Sequence, residues 1–156
     1  MLIAIGMQSI TRYLVAVLVG GVIGAAGCTS EVNGPIDYRV TGGFISGGPG
    51  TVLSIELNGA ATRDAPDRSG GTQTAQLPPA TVDDLLTKLD NASFAALDSM
   101  YACANCADIF TYTITVGEES SVHHTVQADD KAVVPPALKT VIKTLQDIHD
   151  GPFDWR

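Results

Sequence analysis

Apolar side chains alternate with polar ones in four short stretches of the chain and recur at three- and four-residue spacing in two others, and this pattern predicts the elements. Tyr38-Arg39-Val40-Thr41 alternates as a short strand. In Val52 to Leu57, Leu53, Ile55 and Leu57 share one face, with Ser54 and Glu56 on the other. Asn58-Gly59 then signals a hairpin, because both residues tolerate the positive φ of a type I′ turn, and a polar return strand runs through Ala61 and Arg63. Residues 64–71 are a loop by composition, and Thr72 to Leu77 adds a further short strand. Pro78-Pro79 punctuates the chain before a helix. There Thr81 and Asp84 resemble a capping box, the carboxylates of Asp83 and Asp84 suit the positive end of the helix dipole, and Leu85, Leu86 and Leu89 form the apolar side. That helix ends near Asp90-Asn91, after which Phe94 and Leu97 tuck back toward the core.

Ile109 to Val116 is β-branched and aromatic throughout, which suits a pleated, half-buried surface; Phe110, Tyr112, Ile114 and Val116 share one face. A turn at 117–120 returns it as Ser121 to Val126. Pro135-Pro136 starts a second helix, in which Leu138, Val141, Ile142, Leu145 and Ile148 fall on one stripe. The order of strands, helix, strands, helix implies an α+β fold: an antiparallel sheet from two β-hairpins with two helices packed on one face.

The first 27 residues differ in kind from the rest. Arg12 supplies one positive charge, Tyr13 to Gly24 is an uncharged, mostly apolar run, and Ala25-Ala26-Gly27 leads to Cys28. This is the charged, apolar and small-residue order of an export signal, and the run is shorter than the roughly 18–20 residues needed to cross a bilayer core. The small residues ending in cysteine resemble the bacterial lipobox, with Ala25 where leucine is usual. The resemblance implies cleavage before Cys28 and a diacylglyceryl anchor on its thiol. Thr29, rather than Asp, resembles the pattern sent to an outer membrane where the cell has one; otherwise the anchor is at the cell surface. The expected organisation is a signal peptide over 1–27, lipidated Cys28 with a tether over 28–36, one domain over 37–150, and a C-terminal tail over 151–156.

Without Arg12 the chain keeps 8 basic residues against 17 acidic ones. Such a surface repels polyphosphate backbones, so nucleic acid is not an expected partner. The acidic pairs Asp83-Asp84, Glu118-Glu119 and Asp129-Asp130 read as solvated turns or helix starts. Export would carry Cys103 and Cys106 to a compartment where disulfides persist, and a small-loop disulfide is the first reading of Cys103-Ala104-Asn105-Cys106. A redox-active pair is the sharper alternative, but a strand-like run follows the motif where a thioredoxin-like site would have a helix.

Catalytic chemistry finds little support. His123 and His124 are adjacent on a strand and point to opposite faces. They are expected opposite residues 112–114, roughly 20 Å or more from Cys106 at about 3.3 Å per residue, too far to complete a zinc site with the cysteines. His149 near the end of the last helix complements its dipole. The sequence has no G-x-S-x-G elbow, S-x-x-K pattern or H-E-x-x-H helix, and the glycines at 42, 43, 47, 48 and 50 lack a following Gly-Lys-Ser/Thr. No enzyme activity, metal or cofactor is therefore expected. The glycine-rich segment reads first as a wide hairpin with Phe44 or Ile45 turned into the core. Its functional reading is a partner-binding loop in which Gly42 and Gly43 allow close backbone approach and Phe44 and Ile45 are apolar anchors.

The order Tyr38-Arg39-Val40-Thr41-Gly42-Gly43-Phe44, Leu85-Leu86, Phe94-Ala95-Ala96-Leu97, Phe110 to Val116, His124-Thr125-Val126 and Pro136-Ala137-Leu138 resembles the emfourin family over residues 38–148. That family is named for a proteinaceous inhibitor of thermolysin-like metallopeptidases such as protealysin. The anchor, the cysteine pair and a longer 58–76 segment depart from its pattern. The resemblance implies a secreted metallopeptidase as partner, with Phe44 or Ile45 entering the pocket such enzymes keep for bulky apolar residues. A non-catalytic envelope lipoprotein binding another protein is the alternative, and a thiol-disulfide enzyme a third class.

Overall fold

Strict alternation places the first strand. In β1 (Ile36–Gly42) Ile36 and Tyr38 are buried while Asp37 and Arg39 face solvent. The computed structural model, which describes residues 32, 34–43, 50–64, 71–117 and 123–156, sets β1 between β2 (Val52–Ile55) and β6 (Phe110–Val116), antiparallel to both. Tyr38 lies opposite Leu53 on one side and Ile114 on the other, so three strands present apolar residues to one face. With β3 (Ala60–Asp64), β4 (Thr72–Gln76), β5 (Met100–Tyr101) and β7 (His124–Asp129), the order is β4-β3-β2-β1-β6-β7-β5. The two expected hairpins are β2–β3 and β6–β7, and β1 joins them into one sheet. Every pairing is antiparallel except the short β5–β7 contact.

Helices α1 (Pro79–Asn91) and α2 (Pro136–Asp150) cover the apolar face. Val82, Leu85 and Leu89 of α1 and Leu138, Val141, Leu145 and Ile148 of α2 are buried in one cluster with Ile36, Tyr38, Leu53, Ile55, Ile114 and Val126 of the sheet. Burying each large aliphatic side chain contributes about 1.5–3 kcal/mol, and this contact rather than intrinsic propensity holds helices of such length. The fold is the expected α+β arrangement. The opposite face is polar. One row of facing residues runs Thr74, Thr62, Ser54, Asp37, Thr115, Thr125 across six strands, and the Thr115 and Thr125 hydroxyls hydrogen-bond at 3.0 Å.

Several local expectations change. Gly59 takes φ of 87°, but Asn58 does not take positive φ, which among the described non-glycine residues occurs only at Ser93 and Asp108. Gly59 N–H donates to the Glu56 carbonyl at 2.9 Å and Glu56 N–H to that of Ala60 at 2.8 Å. This is the three-residue hairpin loop closed by a glycine bulge, not a two-residue type I′ turn. Helix α1 begins at Pro79, whose fixed φ and missing N–H suit the first helical position. Thr81 is thus inside the first turn, where its N–H donates to the Pro78 carbonyl at 2.9 Å, and no side chain caps the helix. The early start also moves Asp83 and Asp84 out of the first turn; Asp84 pairs with Lys88 one turn on. His124 faces Val116 rather than residues 112–114, because β7 pairs nearer the turn than expected.

The segments flanking the sheet and helices engage the domain on both sides. Val32 packs against the core, and Gly117 N–H donates to the Pro35 carbonyl at 3.2 Å. Past α2, Phe153 and Trp155 pack on the core, and Arg156 exchanges two backbone hydrogen bonds with Thr74 at the outer edge of β4. The Arg63 guanidinium lies 4.3 Å from the Trp155 ring centroid and donates to the His149 carbonyl. Desolvation there pulls its pKa below the ordinary guanidinium range, with Asp150 opposing.

Candidate functional site

The antiparallel registers decide which loops meet. Gly42 at the end of β1 faces Phe110 at the start of β6, and Thr111 faces Asp129 at the end of β7. The hairpin joining β1 to β2, the cysteine loop between β5 and β6, and the segment from β7 to α2 therefore lie at one end of the sheet. The chain enters at the other end, where Ile36 pairs with Val116. Seven residues of β1 separate these ends, roughly 20 Å.

At the loop end Gly43 N–H donates to the Ile109 carbonyl at 2.9 Å. Gly42 has φ of 96°, and a Cβ on it would strike that same carbonyl oxygen. On Gly43, φ is 70° and a Cβ would meet the Phe110 ring at 2.6 Å. Both glycines are needed for close approach of the hairpin base to the cysteine loop. Phe44 and Ile45, the expected anchors, and Cys28, the expected lipidation site, lie outside the described residues.

Cys103 and Cys106 are joined in a disulfide, their Cα atoms 5.6 Å apart. The loop is held from beneath by β7. Asp129 accepts the Cys103 N–H at Oδ2 and the Thr111 hydroxyl at Oδ1, both at 2.9 Å. Lys131 donates from Nζ to the Ala107 carbonyl at 2.7 Å. Sequence reasoning took Asp129-Asp130 as a solvated turn or helix start, but Asp129 ties the cysteine loop to β6; an acidic residue ending a strand carries no mark of its partner. Val133, 95% exposed in the segment leading to α2, was missed too. An exposed valine between two turn-like segments was the available signal.

The histidines sit elsewhere. His124 packs edge-on against Phe94 with ring centroids 5.6 Å apart, and its Nε2 lies 3.3 Å from the Leu97 carbonyl. His149 is buried, with Nδ1 2.7 Å from Asp150. Among the described residues no group of three or more His, Cys, Asp or Glu side chains is placed to hold a metal, and no helix is long and apolar enough to cross a membrane. What the loop end offers is a surface: a glycine-seated hairpin, a disulfide-closed loop with Ala102, Ala104 and Ala107 exposed, and Val133.

The sequence profile of the family described as Domain of unknown function (DUF6438) matches residues 50–149. The chain belongs to this family. The DUF6438 match takes in β2 through nearly all of α2, with the cysteine loop and its Asp129 and Lys131 supports. It opens at Gly50, so β1 and residues 43–49 precede it. A comparison with curated proteins finds no match.

Proposed function

We propose that this DUF6438 domain is a lipid-tethered recognition module of the cell envelope, and that its loop end binds and inhibits a thermolysin-like metallopeptidase. The observation that carries this reading is the opposition of the two ends. The chain enters beside Ile36 and Pro35, while the glycine-seated hairpin and the cysteine loop lie roughly 20 Å away along β1. With an anchor on Cys28, these loops face away from the bilayer, toward anything soluble. The sequence that follows Gly43 carries Phe44 and Ile45, adjacent apolar residues that suit the pocket such peptidases keep for bulky side chains. The peptidase as partner rests on the emfourin resemblance, and recognition by this end rests on the geometry.

Titration of residues 29–156 into thermolysin while following cleavage of a small peptide is the test. Stoichiometric loss of activity without digestion of the domain is expected, and Phe44→Ala with Ile45→Ala in a folded variant weakens inhibition by more than about 2 kcal/mol. Undiminished activity across several such peptidases ends the inhibitor reading. The module would then serve another envelope protein, a reading favoured by Val133, whose exposed side chain lies off the hairpin and gives the surface a second apolar point.

A further inference from the structure

Both helices pack on the apolar face of the sheet, and the polar face carries neither. Lysine is among the side chains that most need water, yet all four lysines lie away from that face, in α1, in α2 and just past β7. Short side chains form its centre: Ser54, Thr62, Thr113, Thr115 and Thr125, with Val52 beside them. Such residues lose little rotamer freedom when covered. Asp64 and Asp129 stand at the ends of their strands and Glu56 just beyond β2, so carboxylates ring a centre of hydroxyls. Depletion of charge inside a polar rim is the layout of a protein interface.

One pair of charges breaks that pattern. β1 is the fourth of seven strands, and Asp37 and Arg39 project from it on the polar face, both exposed. They are two residues apart, about 7 Å along the strand, and among the described residues neither belongs to an ion pair. A twofold axis lying between two stacked sheets and crossing β1 at Tyr38 runs that strand antiparallel over its mate. Asp37 then stands over Arg39 of the partner subunit, and Arg39 over Asp37 of the partner subunit. Stacked sheets lie about 10 Å apart, a gap that one arginine and one aspartate side chain bridge together. An axis parallel to the strands would instead set like charges on one another, so the charges select the antiparallel stack. Six strands of four to seven residues give a footprint of roughly 500 Å² per copy. The pair buries about 1,000 Å², the lower bound for a specific interface.

We propose that the polar face of the sheet pairs two copies of this chain, stacked antiparallel and held in register by two reciprocal Asp37–Arg39 ion pairs. The contact is isologous, so each interaction occurs twice and the assembly closes at two copies. The hairpin base and the cysteine loop lie at the strand ends, outside the stacked area, and the pairing is independent of what the loop end recognises. The chain entries beside Ile36 fall at opposite ends of the pair. The contact therefore joins copies that are free in solution or that stand on facing surfaces.

Sedimentation equilibrium of residues 29–156, which contain every strand, helix and core residue described, tests this. A monomer–dimer equilibrium is expected, with a dissociation constant of roughly 1–100 µM for an interface of this size. Asp37→Arg and Arg39→Asp each set like charges face to face and should each weaken association by at least about tenfold. The double variant D37R/R39D restores opposite charges across the axis and should return to within about threefold of wild type. Both positions are exposed, so the variants fold, which urea unfolding checks. A single species of monomer mass up to about 1 mM, or a folded double variant that stays as weak as the single ones, overturns the proposal. So does loss of the dimer in Val133→Ser, which would place the contact at the loop end instead. None of these readouts uses a peptidase, so a failed titration leaves them standing.

Discussion

Replacing Gly42 by alanine should destabilise the domain far more than the same change at Gly43, although the two are neighbours in one glycine pair. At Gly42 φ is 96°, beyond the left-handed well, and an L-residue in that region costs about 1–3 kcal/mol. The added Cβ also strikes the Ile109 carbonyl oxygen, a backbone atom that already accepts the Gly43 N–H. That oxygen cannot retreat without weakening a hydrogen bond worth about 1 kcal/mol. Together these give a loss of about 2–4 kcal/mol. At Gly43 φ is 70°, close to the left-handed well, and the Cβ meets the half-buried Phe110 ring, which can turn; the expected loss is about 1 kcal/mol. Against a total stability of roughly 5–15 kcal/mol both variants fold. Urea unfolding followed by the fluorescence of the sole tryptophan, Trp155, reads the difference as a shift in midpoint at constant slope. A Gly42→Ala variant within about 0.5 kcal/mol of wild type, or no less stable than Gly43→Ala, would refute the reasoning.

Two further outcomes concern the core and the tail. Trp155→Ala removes the ring beneath Arg63 and a hydrophobic contact at the β4 edge, so a loss of about 2–3 kcal/mol is expected by circular dichroism in urea; an unchanged midpoint would show the tail to be ornamental. Tyr38→Phe should be close to neutral at pH 7, because no hydrogen bond of normal geometry reaches the buried hydroxyl. Its effect appears at alkaline pH. Burial first, then neighbouring Tyr112, raises the phenol pKa well above the ordinary 10.0 despite the opposing Gln146 amide. Above pH 10.0 the unfolded chain loses this proton while the folded one keeps it, so wild-type stability falls with rising pH by up to about 1.4 kcal/mol per unit from this group. The phenylalanine variant escapes that loss, and equal pH slopes for the two proteins between pH 9 and 11 would count against it.

The elements that hydrophobic period controls were legible. Leu138, Val141, Leu145 and Ile148 gave α2 its face, and the β6 alternation placed Ile114 and Val116 inward. What period does not carry is cap and turn chemistry. Pro79 won the first helical position over Thr81 because proline presets φ and has no N–H to satisfy, and the Glu56–Gly59 loop resolved its twist with one left-handed glycine instead of two left-handed residues. The same blindness hid β5, whose two residues are too short to show any period, and the Arg156 pairing on β4, which rests on main-chain groups. At the candidate site the sequence supplied Gly42, Gly43, Cys103 and Cys106 but not what connects them, since Asp129 and Lys131 act on backbone groups about 25 residues away in sequence.

That connection depends on register, which alternation specifies only in part. A one-residue slip of β1 against β6 would expose Ile36 and Tyr38 and bury Asp37 and Arg39, and the core forbids it. A two-residue slip keeps every face correct, and nothing in the apolar pattern opposes it. What distinguishes the native register is that Gly42 falls opposite Phe110, so a residue without a Cβ arrives at the Ile109 carbonyl. Any slip would take this glycine away and leave the Gly43 N–H without its acceptor. The glycine pair thus serves as a register stop for the central strand as well as a seat for the hairpin. This is why a substitution there, outside the hydrophobic core, is expected to cost as much as a cavity within it.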